Sequence, residues 1–201
     1  MLGGLFSGKP PEVRFWEWFQ QHESEISAIS TGAEPIVFEI GEQIRRVDPG
    51  LAWVTGTAAD GSREFIVSAE GVKATIPIVE AVVAAAPEMP GWRIVAFRPR
   101  QKSIVGLQFQ DRSLSAESIF YISRPTKDKL DVDLFIEGLD ASNAPDLIQA
   151  CFLLLDATIG EYDVMTRIGE LDFIPLSESQ GGHKPLSALP AEVDALKGSA
   201  S

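Results

Sequence analysis

The sequence predicts an α+β fold: a largely antiparallel sheet built from two tandem ββαβ units, with helices on one face, preceded by two N-terminal helices. Three observations lead to this prediction. Apolar residues make up 45% of the 201-residue chain, a normal value for a globular protein. Stretches rich in β-branched and aromatic residues come in pairs joined by short turns. Apolar stripes at helical spacing follow these pairs.

Two helices are predicted before the first strand. The two prolines at 10–11 can open the first helix, because proline has a fixed φ near the helical value and the first turn needs no N–H from it. An apolar stripe begins at Phe15 and Phe19, and this helix is expected to end by Gly32. A second helix is expected over 35–47, before an Asp-Pro-Gly stop signal.

The first ββαβ unit is predicted between residues 51 and 97. A hairpin is expected because Asp60 and Gly61, a favoured tight-turn pair, lie between two β-rich stretches. Thr75 can cap the helix that follows. The expected elements are strands at 51–57 and 63–68, a helix over 75–86 and a strand at 92–97.

The second ββαβ unit is predicted between residues 118 and 176. The stretch 130–137 alternates apolar and mostly charged residues, which is typical of a strand with one buried face. The apolar residues of the next helix, among them Cys151 and Phe152, cover more than half its girth and predict deep burial. The expected elements are strands at 118–123 and 130–137, a helix over 143–160 and a strand at 171–176, with a short strand at 104–109 before the unit.

The order of elements repeats between the two units. Glu70 and Gly71 in the first fall at the same point as Glu137 and Gly138 in the second. Internal duplication and convergence on one topology both explain this repetition.

A single domain is predicted over residues 1–176. The composition then changes to a stretch with paired glycines and a proline, which predicts a flexible tail over 177–201. The alternative is a short amphipathic helix through Leu186, Leu189, Val193 and Leu196, acting as a docking segment.

The charge of the chain excludes some partners. Seventeen Lys and Arg against 29 Asp and Glu give a net charge of −12. Such a chain repels nucleic acids and anionic membranes, so neither is an expected partner. The only candidate basic patch in the sequence consists of Arg93, Arg98, Arg100 and Lys102. We expect these side chains to pair with the surplus acidic residues. A single cysteine, no signal peptide and no long apolar run predict a cytoplasmic location.

The common catalytic patterns are missing. The two histidines, His22 and His183, have no partner at zinc-ligand spacing and no serine elbow beside them. Cys151 lies on an apolar helix face and is expected to be structural. No phosphate-binding glycine motif is present, so we expect neither a metal nor a cofactor.

Acidic residues provide the one catalytic alternative. Glu161, Asp163 and Asp172 could act as general acid–base groups or as Mg²⁺ ligands of a hydrolase-type enzyme. The simpler expectation is a solvated acidic face, in which Asp131 and Asp133 meet arginines of the 92–98 strand across the sheet.

The preferred interpretation is a non-enzymatic binding or regulatory domain that holds a protein partner or a small ligand. Trp18 points away from the apolar stripe of the first helix. An exposed tryptophan there is typical of a partner surface, and burial under a neighbouring element is the alternative. Arg98 and Arg100 would complete this binding surface. A homodimer subunit is a third alternative.

Four strings of the sequence carry a resemblance to a known group. They are FWEWF, EFIVSAEG, AAPEMPGWRIVAFRPR and FLLLDATIGEYDVMTRIGELDFIPL. Over residues 15–176 the chain resembles a widespread family of uncharacterised bacterial proteins, a domain of unknown function. The resemblance implies a bacterial cytosolic protein without any assigned catalytic residue. It directs attention to the strings SAEG and LLDATIGEYD as a shared surface.

Overall fold

The computed structural model describes residues 8–58, 60–101, 106–109 and 112–198. The chain forms two compact units, Met1–Phe97 and Arg98–Ser201. Both contain helices and strands, so the α+β class is confirmed. Within the described ranges, no helix combines the length and the apolar character needed to cross a membrane.

The first unit begins with three helices, α1 (Pro11–Gln21), α2 (Glu23–Ser27) and α3 (Pro35–Arg45). The helical region ends before Gly32 as predicted, but it is divided into two helices, because the chain leaves the helical conformation at His22. The His22 N–H donates to the carbonyls of Trp18 and Phe19 at 3.2 and 3.1 Å. These bonds satisfy carbonyls at the end of α1, and the non-helical backbone of His22, with φ −109° and ψ 10°, ends the helix.

A three-stranded sheet follows the helices, in the order β1-β2-β3. β1 (Ala52–Thr57) and β2 (Arg63–Ser68) are antiparallel. Helix α4 (Ile76–Ala84) separates β2 from β3 (Trp92–Ala96), and β3 runs parallel to β2. A crossover helix permits this parallel pairing.

Aromatic side chains form the core of the first unit. The rings of Phe15, Trp16 and Phe19 from α1 meet Phe65 of β2 at centroid distances of 6.0, 5.9 and 5.0 Å. The indole N–H of Trp16 donates to the Val82 carbonyl of α4 at 2.7 Å, so the one polar atom of this ring is satisfied. The apolar stripe read from the sequence therefore packs α1 against the sheet.

The second unit contains a two-stranded ribbon, β4-β5, and a four-stranded sheet in the order β8-β7-β6-β9. β6 is antiparallel to β7 and β9, whereas β8 is parallel to β7. Of the short strand predicted at 104–109, residues 104 and 105 lie outside the described ranges and 107–109 form β4. The elements are β4 (Leu107–Phe109), β5 (Arg112–Leu114), β6 (Phe120–Thr126), β7 (Lys129–Ile136), α5 (Ala144–Ile159), α6 (Glu161–Arg167), β8 (Ile168–Pro175), β9 (Lys184–Pro185) and α7 (Leu189–Gly198).

Apolar residues of α5, α7 and the sheet share one core in this unit. Leu186, Leu189 and Val193, in the segment for which a flexible tail is the expectation, are each at most 1% exposed and belong to this core. The strand β9 also ties the segment to the edge of β6. Leu186, Leu189 and Val193 thus pack into the second unit.

Helices α5 and α6 are separated by Gly160, which has φ +91° and ψ 138°. A residue with a side chain rarely adopts this backbone conformation. The break redirects the chain so that Glu161, the first residue of α6, is fully buried. The prediction that the chain leaves the helix near Gly160 is confirmed, but the second helix after it was not predicted.

Candidate functional site

The residues predicted to form one binding surface belong to different units. Trp18 lies on α1 of the first unit, and Arg98 and Arg100 open the second. The Trp18 ring is half-buried and stacks on the His22 imidazole, with centroids 4.6 Å apart. The Nδ1 atom of His22 also lies 2.8 Å from the Trp18 carbonyl oxygen. Trp18 therefore contacts His22 at the end of α1, and its ring is also partly exposed on the helix surface.

Arg98 contacts the start of α6 through its main chain and α5 through its side chain. Its backbone N–H donates to Oε2 of Glu161 at 2.8 Å, and the Glu161 N–H donates to the Arg98 carbonyl at 2.9 Å. Its guanidinium Nη1 lies 3.2 Å from Oδ2 of Asp156 on α5. Asp156 and Glu161 are 7% and 0% exposed. Buried carboxylates need such partners, so these contacts hold the 98–101 segment against α5 and α6.

Arg100 makes a different connection. Its Nη1 atom lies 2.9 Å from Oδ2 of Asp194 on α7, with both side chains largely exposed. One residue further, the Gln101 N–H donates to the carbonyl of Ala157 on α5 at 2.8 Å. A shallow cavity of about 290 Å³ lies here, lined in part by Arg100, Gln101 and Thr158. An exposed ion pair contributes little to stability, so Arg100 remains accessible for a ligand.

The three candidate catalytic carboxylates have different surroundings. Glu161 is buried beside Arg98, and Asp163 is half-buried on α6. Asp172 is exposed on β8, opposite Asp133 of β7. Within the part of the chain that the structure describes, no group of three His, Cys, Asp or Glu side chains could hold a metal ion.

The expectation that Asp133 meets an arginine of the 92–98 strand is wrong. That strand pairs with β2 in the first unit, whereas Asp133 pairs with Arg124 of its own hairpin. The Arg124 Nη2 atom donates to Oδ1 of Asp133 at 2.8 Å, and this hydrogen bond lowers the pKa of Asp133. The two residues are separated by only nine positions, so the hairpin turn brings them together.

A second acidic group in this unit is Glu192 of α7. It accepts hydrogen bonds from the Tyr121 hydroxyl at 2.8 Å, from Lys184 Nζ at 2.7 Å and from the Ser123 hydroxyl. Burial raises the pKa of Glu192, but the hydrogen bonds from Lys184, Ser123 and Tyr121 together lower it below its usual value. Burial, and then the bond to Glu192, raise the pKa of Tyr121. This network fastens α7 to β6 and β9.

Cys151 is buried in the core of the second unit. Its side chain is 0% exposed, and burial raises the pKa of the thiol to about 12. The thiol therefore stays protonated at neutral pH and is a poor nucleophile. The burial expected from the sequence is confirmed.

One apolar surface was missed by the sequence interpretation. Phe152 and Leu153 of α5 are each 40% exposed, although the apolar content of this helix predicts deep burial. The Phe152 ring meets Phe173 of β8, with centroids 5.3 Å apart. The missed signal is the five-residue apolar run 151–155, because consecutive helical residues are about 100° apart and cannot all face one core.

The neighbouring strand β8 is an edge strand. It has β7 on one side, and no strand pairs with its other side within the described ranges. Leu171 and Phe173 pack against the core beside α5, and the alternating residues Glu170 and Asp172 are exposed. We call Phe152, Glu170, Asp172 and Phe173 together the β8 surface.

No protein-family model, curated protein or solved structure matches this chain.

Proposed function

We propose that this chain is a non-enzymatic binding domain of bacterial origin, and that its β8 surface holds an extended, basic segment of a protein partner. The observation that carries the proposal is the β8 surface itself. There, an edge strand of the sheet lies beside the exposed Phe152 of α5, whose ring contacts Phe173.

The strand contributes the main-chain part of this binding. An edge strand presents N–H and carbonyl groups to which an extended peptide can add as a further strand. The side chains of such a peptide alternate between the two faces of the sheet. One set would lie on the face of Phe173, and the other on the face of Asp172.

The helix contributes an apolar anchor on the first of these faces. Phe152 is exposed, and its side chain contacts the ring of Phe173. Large apolar side chains in such a position are frequent centres of protein interfaces. An aliphatic or aromatic side chain of the partner would fit against them.

Charge determines what the other face would bind. Glu170 and Asp172 are exposed there, within a chain of net charge −12. Lysine or arginine at alternate positions of the partner would meet these carboxylates. The partner segment is therefore one that alternates basic and apolar residues.

A peptide that alternates lysine and valine tests this proposal. We expect NMR shift changes in β8 amides, and binding about five- to thirtyfold weaker for Phe152→Ala, since truncating an anchor residue costs roughly 1–2 kcal/mol. Phe38→Ala is the matched control, because Phe38 is 70% exposed but lies on α3 of the first unit. Equal weakening by both variants, or equal binding of a peptide alternating glutamate and valine, would contradict the proposal.

We also propose that the two units arose by duplication of one ββαβ element, within the bacterial family that the chain resembles. Support comes from the strand pairing in each unit. The second strand is antiparallel to the first and parallel to the third, after an intervening helical segment. Duplication requires that the three strands and the crossover helix of each unit superpose in order, and a mismatch would leave convergence as the explanation.

A further inference from the structure

A groove in the first unit brings two arginines together. It has a volume of about 330 Å³ and is lined by Pro11, Arg14 and Phe15 of α1, and by Gln43 and Arg46 at the C-terminal end of α3. The arginines are exposed, whereas Phe15 is only 2% exposed and forms an apolar wall. The groove is thus cationic on one side and apolar on the other.

Three other cations of this unit are paired with acids. Lys9 pairs with Glu17, Arg45 with Glu42, and Arg93 with Glu64. Such pairing is expected in a chain with 29 acidic residues against 17 basic ones.

The groove arginines differ from these cations. Within the described residues, no carboxylate lies within 4.0 Å of either Arg14 or Arg46. Arg46 Nη1 donates instead to the neutral Oε1 of Gln43 at 3.2 Å. Two like charges in one groove repel each other unless an anion lies between them.

We propose that this groove binds the phosphate group of a small phosphorylated molecule. Each guanidinium presents parallel N–H donors whose geometry matches the oxygens of a phosphate. Two arginines match the two charges of a phosphate monoester, whereas a carboxylate would neutralise only one. The amide of Gln43 is a further donor at the same wall.

The size of the groove and its apolar wall define the remainder of the ligand. A volume of about 330 Å³ is near the lower end of the range for small-molecule sites. Pro11 and Phe15 would contact the carbon skeleton that carries the phosphate. This site lies in the first unit and is independent of the β8 surface in the second.

The test is a titration of the full chain with inorganic phosphate, and then with glycerol phosphate, at constant ionic strength. We expect the unfolding temperature to rise with phosphate concentration, because a ligand that binds only the folded state stabilises it. This rise should disappear in Arg14→Gln and in Arg46→Gln. Arg45→Gln is the matched control, since it removes the same charge at the adjacent position, where Arg45 pairs with Glu42.

Three outcomes would overturn the proposal. They are an equal response in all three variants, an equal response to acetate, and no response to phosphate in the unmodified chain. If Arg14→Gln fails to fold, Arg14→Lys replaces it, and phosphate should then bind several-fold more weakly because lysine lacks the planar fork. Vesicles that contain phosphatidate distinguish a lipid headgroup from a soluble phosphate. If the chain binds these vesicles and Arg14→Gln abolishes the binding, the phosphate group recognised by the groove belongs to a lipid.

Discussion

At the scale of single residues, many acids of this chain act as internal acceptors. Glu161 accepts from the Arg98 backbone, and Asp133 accepts from Arg124. Glu192 accepts from two hydroxyls and one ammonium. Sequence reasoning classed most of the acids as a solvated face, because an excess of acids hides those that have specific partners. Only the packing of the elements reveals which carboxylates are buried.

Replacement of Glu192 by glutamine should make the second unit less stable and less sensitive to acid. The folded-state pKa of Glu192 lies below its usual value. Its contribution to stability is therefore present above the unfolded pKa of roughly 4.3 and is lost as the pH falls through the folded pKa. We expect Glu192→Gln to lower the free energy of unfolding at pH 7 by about 1–2 kcal/mol.

Urea unfolding at pH 7 and at pH 3 measures both effects. The unmodified chain should lose more stability on acidification than the variant. Glu178→Gln is the control, because it removes the same charge from an exposed position. A variant that loses as much stability on acidification as the unmodified chain would show that Glu192 is not part of the acid response.

At the scale of secondary-structure elements, the sequence predicts whether a segment is a helix or a strand better than it predicts where that element ends. The hairpins and the apolar face of α1 follow from periodicity, which local sequence determines. The break at His22 and the separate helix α6 depend on carbonyl and backbone contacts that periodicity does not contain. The exposure of Phe152 was missed for another reason, because the apolar run 151–155 contains more residues than one face of a helix can bury.

Helix α7 provides the prediction at this scale. We expect Leu189→Ala to lower the free energy of unfolding by about 2–5 kcal/mol, the range for a buried leucine. Leu189 is 0% exposed and belongs to the core of the second unit. A flexible tail would instead give no change.

Chemical unfolding of Leu189→Ala and Leu153→Ala makes this comparison. Leu153 is the matched control because it is 40% exposed on α5. Its truncation should cost well under 1 kcal/mol. Equal effects of the two substitutions would mean that α7 is not part of the folded core in solution.

At the scale of the whole chain, composition predicts the fold class but not the position of a binding site. The net charge of −12 indicates which partners are disfavoured, and the mixed α+β class follows from the alternation of element types. Neither the groove at Arg14 nor the β8 surface could be read in this way. Each joins residues that are distant in sequence, such as Arg14 with Arg46 and Phe152 with Phe173, and only folding brings them together.

The charge of the whole chain leads to the last prediction, which separates a local cationic groove from nucleic-acid binding. A polyanion meets the field of all charges that lie within about one Debye length, roughly 8 Å at physiological salt. The binding of a small phosphate in the groove depends instead on its attraction to the two nearest guanidiniums. We therefore expect fluorescence anisotropy of a labelled DNA duplex to stay unchanged as the protein is added at physiological salt, under conditions in which inorganic phosphate still raises the unfolding temperature. A salt-dependent rise in anisotropy that Arg14→Gln abolishes would show instead that the groove recognises a nucleic-acid backbone.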